Sequence, residues 1–387
     1  MNISEENDYY MKDRCARKTA LYRKFIVTFT SIQISTGLAM RRFRVFVLLV
    51  LGLSSHLTSF GNTQELQSLW RSLNNGLEIP MIGFGAHFRT PVNEEELLLR
   101  ALKTGYRLFD TAWVYPKSEE HLGNALKKWF EEGGNRDDLV ITTKLPLSGL
   151  RAGDVEIYLN DSLKNLGLDY IDMYLIHGPI GMHRLDNLKS HVYANGTGDF
   201  DFTTDHLSVW RAMEDQVKAG RVRSIGLSTF NASQILRIWN QAEIKPSNLQ
   251  IEGNLYIQQK ELRTLCNELG IVVTAFFPIG SNVTNLPAPM DNSVVQKIAE
   301  KYGKTPTQIL LNYSIHLGFV PIPNTKNPDR MRENLDIFDF ELDYDDFEEL
   351  SALDQYGKYR KFDFEGLFKG SSKHPEYPFA DRRSLYT

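Results

Sequence analysis

Cysteine is scarce in this sequence. Among its 387 residues there are two, Cys15 and Cys266, and they lie far apart. Two cysteines in this arrangement build neither a disulfide framework nor a C-x-x-C metal motif, and we expect no metal site. Excess positive charge is lacking too, because the net charge is -4. The sequence therefore argues against small disulfide scaffolds, cysteine-based zinc sites and nucleic-acid binding.

Acidic residues are missing from a long stretch near the N-terminus. Between Arg14 and Gln64 there is no Asp or Glu. Within this stretch, "MRRFRVFVLLVLGLSSHLTSFG" begins at Met40 with basic residues, continues with an apolar run, and ends in small and polar residues. This order is typical of a secretory signal peptide, and the apolar run is too short for a stable membrane span. We interpret 1–65 as a targeting or unstructured segment, with a signal-like part at 40–63.

The signal-like segment predicts a protein that is secreted or held in the lumen of the secretory pathway. A mitochondrial presequence is also basic and poor in acidic residues, so a mitochondrial location is an alternative, as is a cytoplasmic one. Asn-x-Ser/Thr triplets at 195 and 282 would accept N-linked glycans if the chain enters the secretory pathway.

After Trp70 the sequence alternates between short apolar runs and segments with helical spacing. Continuously apolar runs of this kind are typical of parallel strands that are buried on both faces. Eight such units fit a closed (β/α)8 barrel better than an open sheet, and Asn75-Gly76 predicts a hairpin before the first. We therefore predict one α/β barrel domain over 66–387. The runs are "IPMIGFGA", "YRLFDTA", "DLVITTKL", "IDMYLIHG", "VRSIGLST", "SNLQIEGN", "GIVVTAFF" and "FVPIPNT".

Four polar side chains stand at or just after the ends of consecutive runs. Asp110 lies near the end of the second run and Tyr115 just after it, Lys144 lies at the end of the third, and His177 at the end of the fourth. Each alone could cap a helix, face solvent or fill a core, but strand ends in a barrel meet at one rim. There, an ammonium held by a carboxylate would favour the phenolate of a nearby tyrosine. An imidazole could orient a carbonyl oxygen, so the group would suit protonation of a carbonyl during hydride transfer.

From about Leu69 to the C-terminus, the sequence resembles the aldo-keto reductase family, in its branch of aldose and aldehyde reductases and hydroxysteroid dehydrogenases. The resemblance is carried by segments such as "GYRLFDTAWVY", "ITTKLP", "SLKNLGLDYIDMYLIHGP", "IPNTKNPDRMRENLDIFDF" and "HPEYPF". It implies a (β/α)8 TIM barrel with an N-terminal β-hairpin and a C-terminal tail over the barrel mouth. It also implies NAD(P)H-dependent reduction of aldehydes or ketones to alcohols. The implied catalytic residues are Asp110, Tyr115 as general acid, Lys144 and His177.

The resemblance further implies that NADPH lies across the barrel mouth. Phe276 would stack under the nicotinamide, and Arg330 would bind the adenosine phosphate. Asn324 stands where the family usually has a lysine beside that phosphate, which makes NADH use more credible here than in a typical relative. The residues assigned to the cofactor are Asp110, Ser228, Thr229, Gln250, Phe276, Ser281, Asn324, Thr325, Arg330, Glu333 and Asn334.

The substrate pocket is assigned to His87, Trp113 and Val114, with the long loop 179–205 at its edge. Both His87 and Gly178 stand where tryptophan is frequent in the family. Without those indoles the mouth would be wider and would suit a bulky apolar or steroid-like carbonyl, unless neighbouring loops fill the space.

Two other functions fit part of the sequence. A regulatory barrel that binds NADP(H) without turnover is favoured only by the altered positions Thr229 and Asn324. A short-chain dehydrogenase would use a Tyr-x-x-x-Lys pair such as Tyr256 and Lys260, but no G-x-G-x-x-G opens a helix after a strand. We expect a monomer that takes a small-molecule carbonyl substrate.

Overall fold

The computed structural model describes residues 69–88, 93–281 and 287–379. These residues belong to one of the two units into which the chain divides, Gln67–Thr387. The predicted targeting segment 1–65 and the glycosylation triplet at 282 lie outside the described residues.

A short antiparallel hairpin precedes the barrel. Strand β1 (Trp70–Ser72) pairs with β2 (Glu78–Pro80). In the turn between them Gly76 has φ 84°, a left-handed conformation that glycine adopts without a Cβ clash. The hairpin predicted from Asn75-Gly76 is therefore confirmed.

Eight parallel strands follow in one sheet, in chain order. Backbone bonds join its two edges, since Gly83 N donates to Pro321 O at 2.9 Å and Gly85 N donates to Pro323 O at 3.0 Å. We call this row of contacts the barrel seam. The sheet closes, and the predicted (β/α)8 barrel is confirmed. The strands are β3 (Phe84–Gly85), β4 (Leu108–Asp110), β5 (Val140–Leu145), β6 (Ile171–Ile176), β7 (Val222–Ser228), β8 (Asn248–Glu252), β9 (Val272–Phe276) and β10 (Phe319–Pro321).

Helices connect the strands, and their ends follow local sequence signals. Asn231 and Gln234 form a capping box at the start of the helix Ala232–Gln241, and Gly167 ends the helix Ala152–Leu166 in a left-handed conformation. In the parts of the chain that the structure describes, no helix is both long and apolar enough to cross a membrane. The helices are α1 (Glu94–Thr104), α2 (Ser118–Glu131), α3 (Ala152–Leu166), α4 (His206–Lys218), α5 (Ala232–Gln241), α6 (Lys260–Glu268), α7 (Ser293–Tyr302), α8 (Pro306–His316), α9 (Pro328–Leu335), α10 (Tyr344–Ser351) and α11 (Phe364–Leu367).

The insertion between β6 and α4, residues 179–205, is irregular but well connected. Isolated bridges such as Met182 with Phe200 hold it together. Because it follows the C-terminal end of β6, it borders the mouth of the barrel, as the sequence predicts.

The C-terminal tail, of which the structure describes residues 354–379, packs on this insertion. The ring of His374 in the tail donates through Nε2 to the backbone oxygen of Asp201 at 3.0 Å and accepts from Glu376 N at 3.0 Å. Apolar side chains of both segments, with one from the segment after β5, form one buried group, which we call the lid cluster. It consists of Leu147, Ile180, Met182, Phe200, Phe364 and Tyr377.

Candidate active site

The predicted catalytic residues lie at the C-terminal ends of three neighbouring strands. Asp110 is the last residue of β4, Lys144 is next to last in β5, and His177 follows β6 directly. Tyr115 lies in the loop after β4. Because β4 pairs with β5 and β5 with β6, the fold brings all four to one rim, as predicted.

Lys144 and Asp110 form a buried ion pair. Lys144 Nζ donates to Asp110 Oδ1 at 2.6 Å and to Thr111 O at 2.7 Å. The lysine side chain is 0% exposed. The other carboxylate oxygen, Oδ2, accepts from Gln250 Nε2 at 2.6 Å. Burying two charges is tolerated when they are paired and their remaining hydrogen-bonding groups are satisfied, so both side chains are held firmly in place.

The phenol ring of Tyr115 lies beside this pair. Lys144 Nζ is 5.3 Å from the ring centroid. The ring of His177 meets it edge-on, with centroids 5.6 Å apart, and the ring of His87 stacks on it at 4.3 Å and 22°. A nearby ammonium favours the phenolate relative to the phenol, so this arrangement assists release of the phenolic proton.

The imidazole of His177 is held in its neutral form. Desolvation, then the positive charge of Lys144 and a contribution from His87, hold the pKa of His177 well below its usual value. A neutral imidazole has one N–H donor and one acceptor. His177 can therefore donate a hydrogen bond to a carbonyl oxygen at neutral pH while the proton comes from another group.

The residues assigned to the nicotinamide lie on adjacent strands. Ser228 ends β7 opposite Gln250 of β8, and Phe276 ends β9. Thr229 has φ 61°, and its backbone N donates to Gln250 O at 2.9 Å. Since Gln250 donates its amide N–H to Asp110, the amide oxygen of Gln250 is the group that can accept from a carboxamide.

The residues assigned to the adenosine phosphate follow β10. Arg330 is exposed, and a guanidinium can bind a phosphate through two hydrogen bonds. Asn334 is buried, and its Oδ1 has no hydrogen-bond partner among the described residues, so a donor on a nucleotide would satisfy it. These groups fit NAD(P)H. Thr325 and Glu333 are the other residues assigned to this phosphate by sequence, whereas Ser281, in the loop after β9, was assigned to the pyrophosphate.

Asn324 makes a contact that its predicted role does not include. Its side chain turns to the loop after β3, where Nδ2 donates to the backbone oxygen of His87 at 2.6 Å. The prediction placed Asn324 at the cofactor phosphate, and this contact was not visible in the sequence.

Trp113 was assigned to the pocket wall, whereas the structure turns it towards α3. Its indole N–H donates to Asp161 Oδ2 at 2.7 Å, and its ring meets Tyr158 edge-on at 4.9 Å. These contacts support the loop that carries Tyr115. Val114, its neighbour, is 42% exposed.

The space beside Gly178 is filled. A Cβ at this position would lie 2.5 Å from the Cζ atom of Phe364, so the ring from the tail rests directly on the glycine. The expectation of a wider mouth on this side is therefore wrong, and the alternative that a neighbouring segment fills the space is right.

Glu252 holds the start of the tail, and the sequence analysis did not assign it a role. It ends β8 and is 1% exposed. Its carboxylate accepts from Lys361 N at 2.9 and 3.1 Å and from Phe362 N at 3.0 Å. Burial raises the pKa of Glu252, and these two N–H donors oppose that rise. Phe362 packs on Phe276 at 5.4 Å, so the tail contacts the predicted nicotinamide residue. The position of Glu252 at the end of a strand was the one signal in the sequence that could have indicated this role.

Replacing Glu252 with alanine is expected to release the start of the tail. Two backbone donors would lose their acceptor, and an unsatisfied buried donor costs about 1–3 kcal/mol. Limited proteolysis within 354–379 should become faster, as mass spectrometry of the fragments would show. The control is Glu252→Gln, which keeps an acceptor oxygen and should be cleaved at nearly the native rate. Unchanged cleavage of the alanine variant would contradict this role.

The closed barrel and the tyrosine beside a buried lysine–aspartate pair define a class of barrel oxidoreductases that act on carbonyl groups. The sequence model described as "Aldo/keto reductase family" matches residues 81–355. The chain belongs to the aldo/keto reductase family, and the predicted resemblance is confirmed. The short-chain dehydrogenase alternative is wrong.

Individual relatives agree with this assignment. The chain is 36% identical over 322 residues to "Aldo-keto reductase family 1 member A1" of Gallus gallus, which covers 80% of this chain and 97% of that protein. It is 34% identical over 296 residues to the NAD(P)H-dependent D-xylose reductase I,II of Candida tropicalis, covering 73% and 91% respectively. The solved structure of aldose reductase from Schistosoma japonicum matches with a TM-score of 0.74 at 34% identity, covering 80% of this chain and 98% of that one. The protein is an NAD(P)H-dependent oxidoreductase that reduces carbonyl groups.

Proposed function

We propose that Tyr115 is the general acid in carbonyl reduction by this protein. The observation that carries the proposal is the buried Lys144–Asp110 pair at 2.6 Å beside the phenol ring. When bound, the reduced nicotinamide supplies the hydride. Tyr115 gives its proton to the carbonyl oxygen, and Lys144 stabilises the phenolate that results. Neutral His177 donates a hydrogen bond that orients the carbonyl.

NADPH is the proposed preferred cofactor, with NADH as a second one. Arg330 supports NADPH, because an exposed guanidinium suits a phosphate. The side chain of Asn324 is engaged with His87 and carries no charge. A missing charge-assisted contact costs about 1.5–3 kcal/mol, or roughly one to two decades in affinity. We therefore expect a smaller preference for NADPH than a lysine at this position would produce.

The proposed substrate is an apolar aldehyde or ketone. Phe364 lies against Gly178, the residue after His177, and Val114, which precedes Tyr115 in the chain, is exposed. These side chains favour an apolar molecule over a free sugar. A bulky, steroid-like ketone has less support than the sequence suggested, because Phe364 occupies the space beside Gly178.

The test follows the absorbance of NADPH or NADH when the purified protein meets a set of carbonyl compounds. The set contains aromatic aldehydes, aliphatic aldehydes, steroid ketones and D-xylose. We expect the cofactor to be oxidised at lower concentrations of the apolar aldehydes than of D-xylose. The reaction should be faster with NADPH than with NADH. Fluorescence titration measures cofactor binding separately. Tight binding without turnover of any compound would overturn catalysis and support a regulatory NADP(H)-binding barrel.

Entry into the secretory pathway is proposed from the signal-like segment 40–63, and Asn195 offers a test. Asn195 is exposed in the insertion, within a turn in which Tyr193 N donates to Thr197 O at 2.9 Å. The full chain made in eukaryotic cells should carry an N-linked glycan there. Mass spectrometry should find the glycan, and Asn195→Gln should lack it. An unglycosylated chain in the cytosol or mitochondria would support the alternative locations.

A monomer is proposed as the state in solution. Light scattering of the purified protein should report the mass of one chain, and a mass twice as large would show a dimer.

A further inference from the structure

The barrel seam ends in a contact that a side chain makes. Gly85 N donates to Pro323 O at 3.0 Å, and Asn324, the residue after Pro323, continues the row through its side chain. There, the amide of Asn324 donates to the backbone oxygen of His87 at 2.6 Å. The side chain of Asn324 therefore extends the pairing of the first and last strands beyond the point where the backbones stop pairing.

The backbone held by this contact belongs to His87, whose imidazole ring lies against Tyr115, the proposed proton donor. The imidazole of His87 stacks on the phenol of Tyr115 at 4.3 Å and 22°. The same phenol meets His177 edge-on at 5.6 Å and Lys144 Nζ at 5.3 Å. Lys144 and His177 are held by the strands β5 and β6, whereas His87 lies in the loop after β3. Its position depends on what holds that loop.

We propose that Asn324 is a positioning residue for Tyr115. Its amide holds the loop after β3, so that His87 stacks on the phenol and keeps the O–H group directed at the substrate carbonyl. This inference rests on the proposed role of Tyr115 as general acid. The resemblance places a lysine at this position in most relatives, beside the cofactor phosphate. In this protein the position contributes instead to the geometry of proton transfer.

Two variants separate the contact from the charge. Asn324→Leu removes the donor to His87 without adding charge, and Asn324→Lys removes the same donor and adds an ammonium. Both should lower the single-turnover rate of NADPH oxidation about 10-fold, since small misplacements of reacting groups have effects of this order. Only the lysine variant should bind NADPH more tightly, by about 10-fold or more.

This separation of rate from affinity would not arise from a general structural defect. The single-turnover rate is used because tighter binding could slow cofactor release and lower kcat for another reason. The thermal unfolding midpoint should fall by only about 2–4 °C in both variants, because one hydrogen bond of an exposed side chain is lost. A native rate in Asn324→Leu would overturn the inference.

The pathway through His87 is tested by combining variants. His87→Ala removes the ring, so adding Asn324→Leu to it should cause no further loss of rate. His87→Phe keeps a flat ring and should lose less of the rate than His87→Ala. Independent, multiplicative losses in the double variant, or a loss in His87→Phe equal to that in His87→Ala, would overturn the inference.

A measurement without turnover distinguishes this inference from the proposed function. With isotope-labelled histidine and tyrosine in the full chain, a nuclear Overhauser effect should connect the rings of His87 and Tyr115 and should vanish in Asn324→Leu. If the contact vanishes while the rate stays native, the positioning role is wrong. If the native protein shows the contact but reduces no carbonyl compound, the proposed function is wrong, and the positioning role in catalysis falls with it.

Discussion

Replacing Tyr115 with phenylalanine is expected to lower kcat/KM for carbonyl reduction by about 1,000-fold, since general acid catalysis contributes roughly 10²–10⁴-fold. The change removes the phenolic O–H and leaves the ring. The stacking contact with His87 and the contact with the Lys144 ammonium should therefore persist. Steady-state kinetics with the best aldehyde measures the loss, and fluorescence titration should show that the cofactor still binds.

A second tyrosine serves as the control for this experiment. Tyr344, at the start of α10, is 66% exposed, and Tyr344→Phe should leave every kinetic constant at its native value. If Tyr115→Phe reduced aldehydes at nearly the native rate, another group would be the proton donor. Tyr115 would then be one wall of the pocket.

The Asp110→Ala variant is expected to lose about 3–5 kcal/mol of unfolding free energy, the usual consequence of removing one partner of a buried ion pair. Lys144 Nζ is left with Thr111 O as its acceptor, and among the described residues no other carboxylate lies at hydrogen-bonding distance from it. Gln250 Nε2 loses its acceptor as well. Denaturant unfolding followed by circular dichroism measures the change, and carbonyl reduction should fall with it because the ammonium is no longer held beside Tyr115.

Two further variants make this result specific. Adding Lys144→Met to Asp110→Ala removes the buried charge and should recover part of the lost stability. The exposed pair of Lys297 and Glu349, at 3.0 Å, is the matched control. Its disruption by Glu349→Ala should cost about 1 kcal/mol or less. Equal losses in the buried and exposed pairs would mean that Asp110 does not stabilise the lysine as we describe.

The barrel and its catalytic rim could be predicted because both depend on patterns local in the chain. A run such as "DLVITTKL" marks a strand by its apolar residues, and β5 occupies Val140–Leu145 within it. The ends of such strands meet at one rim by the geometry of the barrel alone. Asp110, Lys144 and His177 could therefore be brought together without knowledge of any side-chain contact.

The contacts that refine the site could not be predicted, because they join loops that are distant in the chain. Asn324 meets His87 across 237 positions, and Glu252 meets Lys361 across 109. Whether Trp113 faces the mouth or α3 depends on the path of a loop and on the rotamer of the side chain. The spacing of apolar residues in the sequence predicts neither. The same is true of Phe364, whose ring occupies the place of an absent indole beside Gly178.

The lid cluster has a consequence for engineering this protein. The insertion 179–205 and the tail share one small core, and His374 adds a hydrogen bond between them. A chimera that takes the tail of another family member would leave Met182 and Phe200 facing a surface to which they were not fitted. Substrate specificity should therefore transfer between family members only when the insertion and the tail are exchanged together.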